Sequence, residues 1–225
     1  MTSPSSRSDR LRRHDLVFVS PAAWRSLLDA RRDLAGEPVV AGWIDSGWPL
    51  IARRVAPGEA DGLPLGLPLP PSLGKRRIAL LLPADAMVSI TPPPLLGDAI
   101  AVAPPAWRPT IERLVELAAS HGGQARVFGS LAWRLLTGLD YLTARSDLEI
   151  LLPLPRAGCV ARLTAELASL EAMAPMRLDG ELVREDGAGV NWREFHEGAH
   201  EVLVKTARNA ALLRASQFLG GEARS

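Results

Sequence analysis

The 225-residue sequence is short of the features that mark several large classes of protein. Its single cysteine, Cys159, excludes an intrachain disulfide, which favours a reducing compartment, and we expect a cytoplasmic protein. No run of about 18 apolar residues occurs, so neither a transmembrane helix nor a membrane partner is expected. The net charge of +1 disfavours a general nucleic-acid binder, which would carry a basic domain or stripe.

Apolar residues make up 47% of the chain, enough to bury one large core or two small ones. Composition divides the chain into a Ser/Arg-rich, disordered N-terminus at 1–12, a domain at 13–90 and a second domain at 106–225. The segment 91–105 contains consecutive prolines, which fit neither a helix nor a central strand, so we interpret it as a linker. Within the first domain, the Gly, Pro and Leu residues of 58–74 predict an irregular loop.

A glycine-serine pair in the second domain has the local context of a phosphate-binding turn. A short apolar strand at 126–128 leads into Gly129 and Ser130, and a helical segment then runs to Gly138. Glycine lets backbone N–H groups approach a phosphate, and the start of a helix favours anions. The serine hydroxyl adds a rotatable donor. We therefore predict that Gly129 and Ser130 bind substrate phosphate.

Two acidic residues lie on the strand predicted at 147–152. Asp147 and Glu149 alternate with apolar residues, so both carboxylates are expected on one face of the strand. Their Cα atoms would be about 6 to 7 Å apart. Carboxylates at this spacing suit Mg²⁺, which also takes substrate phosphates as ligands. Asp147 and Glu149 are thus the predicted metal-binding and catalytic residues.

A third acid is available on the strand predicted at 176–184. Asp179 and Glu181 share one face of that strand, and either would be able to join the metal site. We favour Asp179, which is flanked by Leu178 and by the small Gly180. The alternative, that both acids are ordinary surface residues of an edge strand, stays open.

The order of these elements resembles the nucleotidyltransferase superfamily, in which Gly-Ser is followed by Asp-x-Asp or Asp-x-Glu. The chain more narrowly resembles the malonate decarboxylase holo-acyl-carrier-protein synthases, also called phosphoribosyl-dephospho-CoA transferases. Members usually have Asp where this sequence has Glu149, which keeps the charge and the oxygen ligands. The stretches that carry the resemblance cover nearly the whole chain: 14–16, 47–50, 53–54, 75–80, 127–130, 137–142, 145–152, 177–181, 190–194 and 202–206.

The resemblance implies an α+β enzyme, with a nucleotidyltransferase-like catalytic domain and a smaller N-terminal α+β domain. It implies transfer of 2'-(5''-phosphoribosyl)-3'-dephospho-CoA from triphosphoribosyl-dephospho-CoA to a serine of the acyl-carrier subunit of malonate decarboxylase. Pyrophosphate would leave, and Mg²⁺ would be the cofactor. Two alternatives remain: a nucleotidyltransferase acting on a small molecule or another protein hydroxyl, and a non-catalytic nucleotide-binding partner protein.

Basic residues outside the motif are further candidates for phosphate contacts. Lysine occurs only twice, and Lys205 ends an apolar strand at 202–204, where its charge would reach a phosphate; the alternative of an ordinary solvated strand end stays open. In the first domain, Arg53 and Arg54 lie beside a predicted strand and are expected to contact the CoA-derived substrate or an acidic carrier protein, with a solvated surface position as the open alternative. After Lys205, Thr206 is predicted to cap a final helix that reaches about residue 218.

Overall fold

The computed structural model describes residues 11–56, 58–59 and 61–220. The chain divides into two compact units, Met1–Pro92 and Pro93–Ser225. Each unit combines helices with a β-sheet, so the α+β class predicted from the sequence is confirmed. Within the described ranges, the helices are all too short or too polar to cross a membrane.

The disordered N-terminus predicted at 1–12 lies outside the described residues except for its last two positions. There, Leu11 is buried, and the Arg12 backbone N–H donates to Asp15 Oδ2 at 2.8 Å. These two residues therefore belong to the folded first unit.

The first unit is built on an antiparallel five-stranded sheet. Its strands are β1 (Leu16–Val19), β2 (Leu50–Ala52), β3 (Leu63–Pro68), β4 (Arg77–Leu82) and β5 (Met87–Thr91), in the order β4-β3-β2-β1-β5. Three helices separate β1 from β2: α1 (Pro21–Ala30), α2 (Arg32–Ala35) and α3 (Pro38–Ala41). Helix α1 has a capped start, because Ser20 Oγ accepts the Ala23 N–H at 3.2 Å and Pro21 occupies the first turn.

The irregular loop predicted at 58–74 is wrong for its central part, which forms strand β3. Leu63, Leu65 and Leu67 are each fully buried, and β3 pairs with both β2 and β4. Proline lacks the N–H that a central strand normally donates, yet the Pro64 carbonyl still accepts the Arg53 N–H at 3.0 Å. Burial of a leucine at every second position therefore stabilises a strand here, although proline and glycine locally favour a loop.

The second unit contains a six-stranded sheet in the order β11-β10-β9-β8-β7-β6, in which only β7 and β8 pair in parallel. The strands are β6 (Arg126–Phe128), β7 (Leu148–Pro153), β8 (Leu178–Val183), β9 (Gly189–Asn191), β10 (Glu201–Lys205) and β11 (Ala210–Arg214). The helices are α4 (Arg108–Ser120), α5 (Gly129–Thr137), α6 (Val160–Glu171), α7 (Trp192–His196) and α8 (Ala215–Leu219).

One face of this sheet packs against helices and forms the main core of the second unit. Strand β7 contributes Leu148, Ile150 and Leu152, and helices α4 and α6 contribute Ile111 and Leu167, among others. Because side chains alternate along a strand, Glu149 points to the opposite face. The apolar pattern of β7 therefore determines the direction of its acidic side chain.

The proline-rich segment 91–105, interpreted above as a linker, spans the division between the units. From Pro93 onward it belongs to the second unit, where Leu96–Val102 forms a 3₁₀-helix. Leu96, Ala99 and Ala103 are buried in the core of that unit. Prolines at 104 and 105 then lead into the short turn before α4.

The final helix predicted from Thr206 is wrong over its first half. Residues 206–209 form a turn in which the Asn209 N–H donates to Thr206 Oγ1 at 3.0 Å, and β11 then pairs with β10 along its full length. Only α8, at Ala215–Leu219, is helical. Alanine and leucine favour a helix locally, but hydrogen bonding to β10 overrides that propensity.

Candidate active site

The turn between β6 and α5 brings the backbone of Gly129 against the side chain of Glu149. Gly129 has φ of +64°, a conformation that side chains with a Cβ rarely adopt. A Cβ built on Gly129 would lie only 1.5 Å from Glu149 Oε2. The next N–H, that of Ser130, donates to the same oxygen at 2.9 Å. Glycine is therefore required here for close approach as well as for backbone conformation.

The sheet register brings the predicted acidic residues together. Glu149 on β7 pairs with Phe128 on β6 and with Asp179 on β8, so the two acids are direct neighbours on parallel strands. Neighbouring strands lie about 4.8 Å apart. Asp147 comes just before β7, two positions ahead of Glu149, and its side chain is 37% exposed. Glu149 and Asp179 thus lie side by side near the start of their strands, Glu149 contacts the Gly129–Ser130 turn, and Asp147 precedes Glu149 on the same chain segment.

Each of these carboxylates has a polar neighbour that orients it. Asp147 Oδ2 lies 3.6 Å from Arg177 Nη1, and Asp179 Oδ1 accepts a hydrogen bond from Asn191 Nδ2 at 3.0 Å. Glu149 is held by the Ser130 N–H. An anion at the start of α5 is favoured by the unsatisfied N–H groups there, and in this structure the Glu149 carboxylate takes that position.

Comparison with known proteins identifies the family. Residues 95–216 match the family model described as the phosphoribosyl-dephospho-CoA transferase MdcG C-terminal domain, and residues 12–93 match that of the corresponding N-terminal domain. The chain belongs to the phosphoribosyl-dephospho-CoA transferase family. The resemblance drawn from the sequence motifs is thereby confirmed, and so is its implication of a transferase.

Several curated phosphoribosyl-dephospho-CoA transferases are similar to this chain over nearly its whole length. The protein of Bradyrhizobium diazoefficiens is 54% identical over 98% of both chains. That of Xanthomonas euvesicatoria pv. vesicatoria is 36% identical over 92% of this chain and 96% of its own, and that of Pseudomonas putida is 29% identical over 89% and 92%. No solved structure matches the chain.

The carboxylate oxygens of Asp147, Glu149 and Asp179 are the kind of ligand that magnesium requires. Magnesium is commonly held by one or two carboxylates, with waters and substrate phosphates completing its coordination. Within 11–56, 58–59 and 61–220, no group of three or more His, Cys, Asp or Glu residues would by itself hold a metal ion. Glu149 and Asp179 are neighbours on paired strands, so their oxygens fit a magnesium site that substrate phosphates and waters complete, and magnesium binding by Asp147, Glu149 and Asp179 stays a prediction.

The structure separates the two candidates for the third acid. Asp179 is the direct neighbour of Glu149, whereas Glu181 lies opposite Leu151, one further step along the same face. Glu181 is buried, and its Oε1 lies 3.1 Å from Lys205 Nζ. Lys205, predicted to bind phosphate, is therefore engaged with a buried carboxylate across the sheet. Asp179 is thus the acid that neighbours Glu149 on the adjoining strand, and its role as the third metal ligand stays a prediction.

Arg53, also predicted to bind phosphate, uses its guanidinium within the first unit. Its five N–H groups donate to the carbonyl oxygens of Arg54, Leu65 and Leu80 and to both carboxylate oxygens of Glu59. Hydrogen bonding to Arg53 lowers the pKa of Glu59 to about 2. Phosphate binding by Arg53 would require breaking this network, whereas Arg54 is exposed.

Asn191 is a site residue that the motif analysis did not single out. Its Nδ2 donates to Asp179, while its Oδ1 accepts the Arg193 N–H at 3.0 Å and caps helix α7. A signal was present in the sequence, because Asn at a helix start with Glu194 three positions later is a capping pattern. That pattern locates the start of α7, but the contact with Asp179 depends on the pairing of β8 with β9.

Proposed function

We propose that this chain transfers the 2'-(5''-phosphoribosyl)-3'-dephospho-CoA group from its triphosphate precursor to a serine of the malonate decarboxylase acyl-carrier subunit. Its family membership supports a transferase that acts on a phosphoribosyl-dephospho-CoA group. The observation that carries the proposal is the pairing of Glu149 with Asp179 beside the Gly129–Ser130 turn. That arrangement suits attack on a phosphate bound next to two carboxylates.

The strand order supports a nucleotidyltransferase-like catalytic unit. Strand β6 leads through Gly129–Ser130 into α5, β7 carries Glu149 antiparallel to β6, and β8 carries Asp179 parallel to β7. This order of elements is the one by which the sequence resembles the nucleotidyltransferase superfamily. The pairing of Asp179 with Glu149 supports Asp179 as the proposed third acid.

In the proposed reaction, the carrier serine oxygen attacks the α-phosphorus of the precursor. A serine oxygen–phosphorus bond forms, and the bond from the α-phosphorus to its bridging oxygen breaks. The electron pair of the broken bond leaves with pyrophosphate, and the serine proton passes to the Asp179 carboxylate, which Asn191 orients. Magnesium, when bound by Asp147, Glu149 and Asp179, would neutralise charge on the phosphates.

Gly129 and Ser130 are proposed to bind a substrate phosphate through their backbone and through the serine hydroxyl. Because the Ser130 N–H donates to Glu149 in this structure, that carboxylate has to move before a phosphate can accept the same N–H. Phosphate binding at the turn would thus displace the Glu149 side chain, which would then be able to turn toward the other acids.

Mass spectrometry of the carrier subunit tests the proposal. The purified carrier is incubated with this protein, triphosphoribosyl-dephospho-CoA and magnesium, and the expected result is added mass of one phosphoribosyl-dephospho-CoA group on a single serine. A carrier with that serine changed to alanine is the matched control. An unmodified wild-type carrier, or a carrier that gains a nucleotidyl group from an ordinary nucleoside triphosphate instead, would contradict the proposal.

A further inference from the structure

A cavity of about 630 Å³ opens beside Asp147 in the second unit. This volume lies within the range of small-molecule sites. Three arginines line it, and they come from separate segments: Arg134 from α5, Arg145 from the loop before β7, and Arg177 from the residue before β8. Trp107, which is buried, forms part of the apolar wall. The cavity therefore combines converging positive charge with one of the predicted metal ligands.

The arginines of this cavity have only weak internal partners. Arg134 Nη1 lies 3.2 Å from Asp140 Oδ1, but the Asp140 side chain is 81% exposed. Arg177 is 3.6 Å from Asp147, and its own side chain is 60% exposed. Arg145 is exposed. Because water screens ion pairs of this kind, these guanidiniums can exchange their partners for a ligand at little cost.

Phosphate is the ligand class that such a cavity suits best. Guanidinium groups bind phosphate through paired, charge-assisted hydrogen bonds, and they remain charged at any ordinary pH. The cavity shares Asp147 with the predicted reaction centre, so a ligand in it would extend directly to the acids. The Gly129–Ser130 turn offers the Ser130 N–H and hydroxyl for one phosphate once Glu149 has moved, so the remaining phosphates of a triphosphate need further donors.

We propose that Arg134, Arg145 and Arg177 bind the pyrophosphate part of the precursor's triphosphate and hold it as it leaves. The inference rests on the proposed function and assigns its leaving-group subsite. Negative charge grows on the bridging oxygen as the bond to the α-phosphorus breaks. Arginines placed beyond Asp147 stabilise that charge, which lowers the barrier for the transfer.

Binding of inorganic pyrophosphate, measured by calorimetry in magnesium-containing buffer, tests the subsite. The proteins compared are wild type, Arg145→Ala, Arg177→Ala and the control Arg113→Ala, which removes an exposed arginine on α4 that does not line this cavity. Each cavity variant is expected to bind pyrophosphate about tenfold more weakly or worse, the scale of one charge-assisted hydrogen bond. The control is expected to match wild type.

The precursor also contains a diphosphate in its dephospho-CoA arm, so a parallel titration uses 3'-dephospho-CoA. Variants that lose affinity for dephospho-CoA but not for pyrophosphate would overturn the leaving-group assignment. Equal pyrophosphate affinity in all four proteins would overturn the subsite altogether. Arg145 is exposed and outside helices and strands, so Arg145→Ala keeps the test valid even where Arg177→Ala impairs folding.

The transfer assay separates failure of this inference from failure of the proposed function. The kcat/KM for the precursor should fall in Arg145→Ala by at least about the factor by which pyrophosphate affinity falls, because the arginine acts on the bound triphosphate and on the charge that develops as pyrophosphate leaves. Normal transfer by wild type with an unchanged kcat/KM in the variants would remove the subsite and leave the function intact. Absence of transfer by wild type, with pyrophosphate affinity still lost in the variants, would remove the function and leave the subsite.

Discussion

Arg53 of the first unit and Arg177 of the second unit are used in opposite ways. In the first unit, Arg53 donates to three carbonyl oxygens and to Glu59, and its side chain is only 21% exposed. In the second unit, Arg177 is 60% exposed and has one distant partner, Asp147. Arg53 directly follows β2, and Arg177 directly precedes β8, so the two arginines look alike in the sequence. They differ in how many hydrogen-bond acceptors the fold places around the guanidinium. That number determines which arginine is available to a ligand.

This contrast predicts that substitutions in the two units affect different properties. Arg53 of the first unit connects several backbone segments, so its loss should lower thermal stability more than activity. Charged residues at the edge of the second sheet have few internal bonds to lose, so their removal should lower activity more than stability. The comparison would fail if a substitution of Arg53 lowered activity more than stability, or if a substitution at the edge of the second sheet lowered stability more than activity.

The largest effect is expected for Asp147→Asn, which removes a negative charge from the predicted metal site. The transfer rate should fall by at least about 10²-fold, the scale for loss of one preorganised electrostatic group. Thermal stability should change little, because Asp147 is partly exposed and its ion pair with Arg177 is long. A transfer assay and a melting curve measure the two quantities.

Glu185→Gln is the matched control for Asp147→Asn. It removes the same charge from an exposed position in the turn that follows β8, and it should transfer at the wild-type rate. Near-normal transfer by a folded Asp147→Asn protein would remove Asp147 from the reaction centre.

The next effect is expected for Gly129→Ala, which tests the close approach of Glu149 to the turn. A Cβ at position 129 would overlap Glu149 Oε2 and displace that carboxylate. Precursor affinity and transfer rate should both fall by about tenfold, because displacing Glu149 costs about one charge-assisted hydrogen bond, the one that it accepts from the Ser130 N–H. Calorimetric titration with the precursor gives the affinity, and the transfer assay gives the rate.

Gly138→Ala is the control that separates the effect of backbone strain from the effect of the contact with Glu149. Gly138 also has a positive φ, +72°, but no atom lies within 4 Å of a Cβ built on it. Both variants should lose about 1 kcal/mol of folding stability from the left-handed backbone conformation. Only Gly129→Ala should lose activity, and equal losses in the two proteins would reduce the role of Gly129 to backbone conformation.

The sequence predicted those parts of the site that depend on local pattern. The alternation in β7 sets the face on which Glu149 lies, and the Gly129–Ser130 turn follows from a strand that runs directly into a helix. These features depend on neighbouring residues in the chain. The α+β class and the family follow from the same motifs.

The features that were not predicted depend on contacts between distant segments. Strand β3 forms because its leucines are buried between β2 and β4, although its prolines and glycine favour a loop. Strand β11 forms by pairing with β10, although its alanines and leucines favour a helix. Arg53 is engaged by carbonyl groups 12 and 27 positions away. Local propensity carries no information about such partners.

A smaller effect, on stability alone, is expected for Arg53→Ala. The change leaves the half-buried Glu59 carboxylate and the Leu65 and Leu80 carbonyls without this donor. An unpaired buried polar group costs about 1 to 3 kcal/mol, so the melting temperature should fall by several degrees. The adjacent, exposed Arg54→Ala is the control and should melt like wild type. If Arg54→Ala slowed transfer at low salt without any loss of stability, the first unit would also contribute to substrate recognition.

The smallest effect concerns the pH dependence of the same network. Hydrogen bonding to Arg53 lowers the pKa of Glu59 from an ordinary value of 4.5 to about 2. The folded protein therefore binds this proton more weakly than the unfolded chain does, and the stabilisation is fully present above pH 4.5. It should decline as the pH falls from 4.5 toward about 2. Melting curves at pH 6 and pH 3 should show a larger decrease for wild type than for Glu59→Gln, which has no proton to gain at that position. Equal decreases would mean that the Arg53–Glu59 pair adds no pH-dependent stability. In its effect on stability, Arg53 would then resemble the exposed arginines of the second unit.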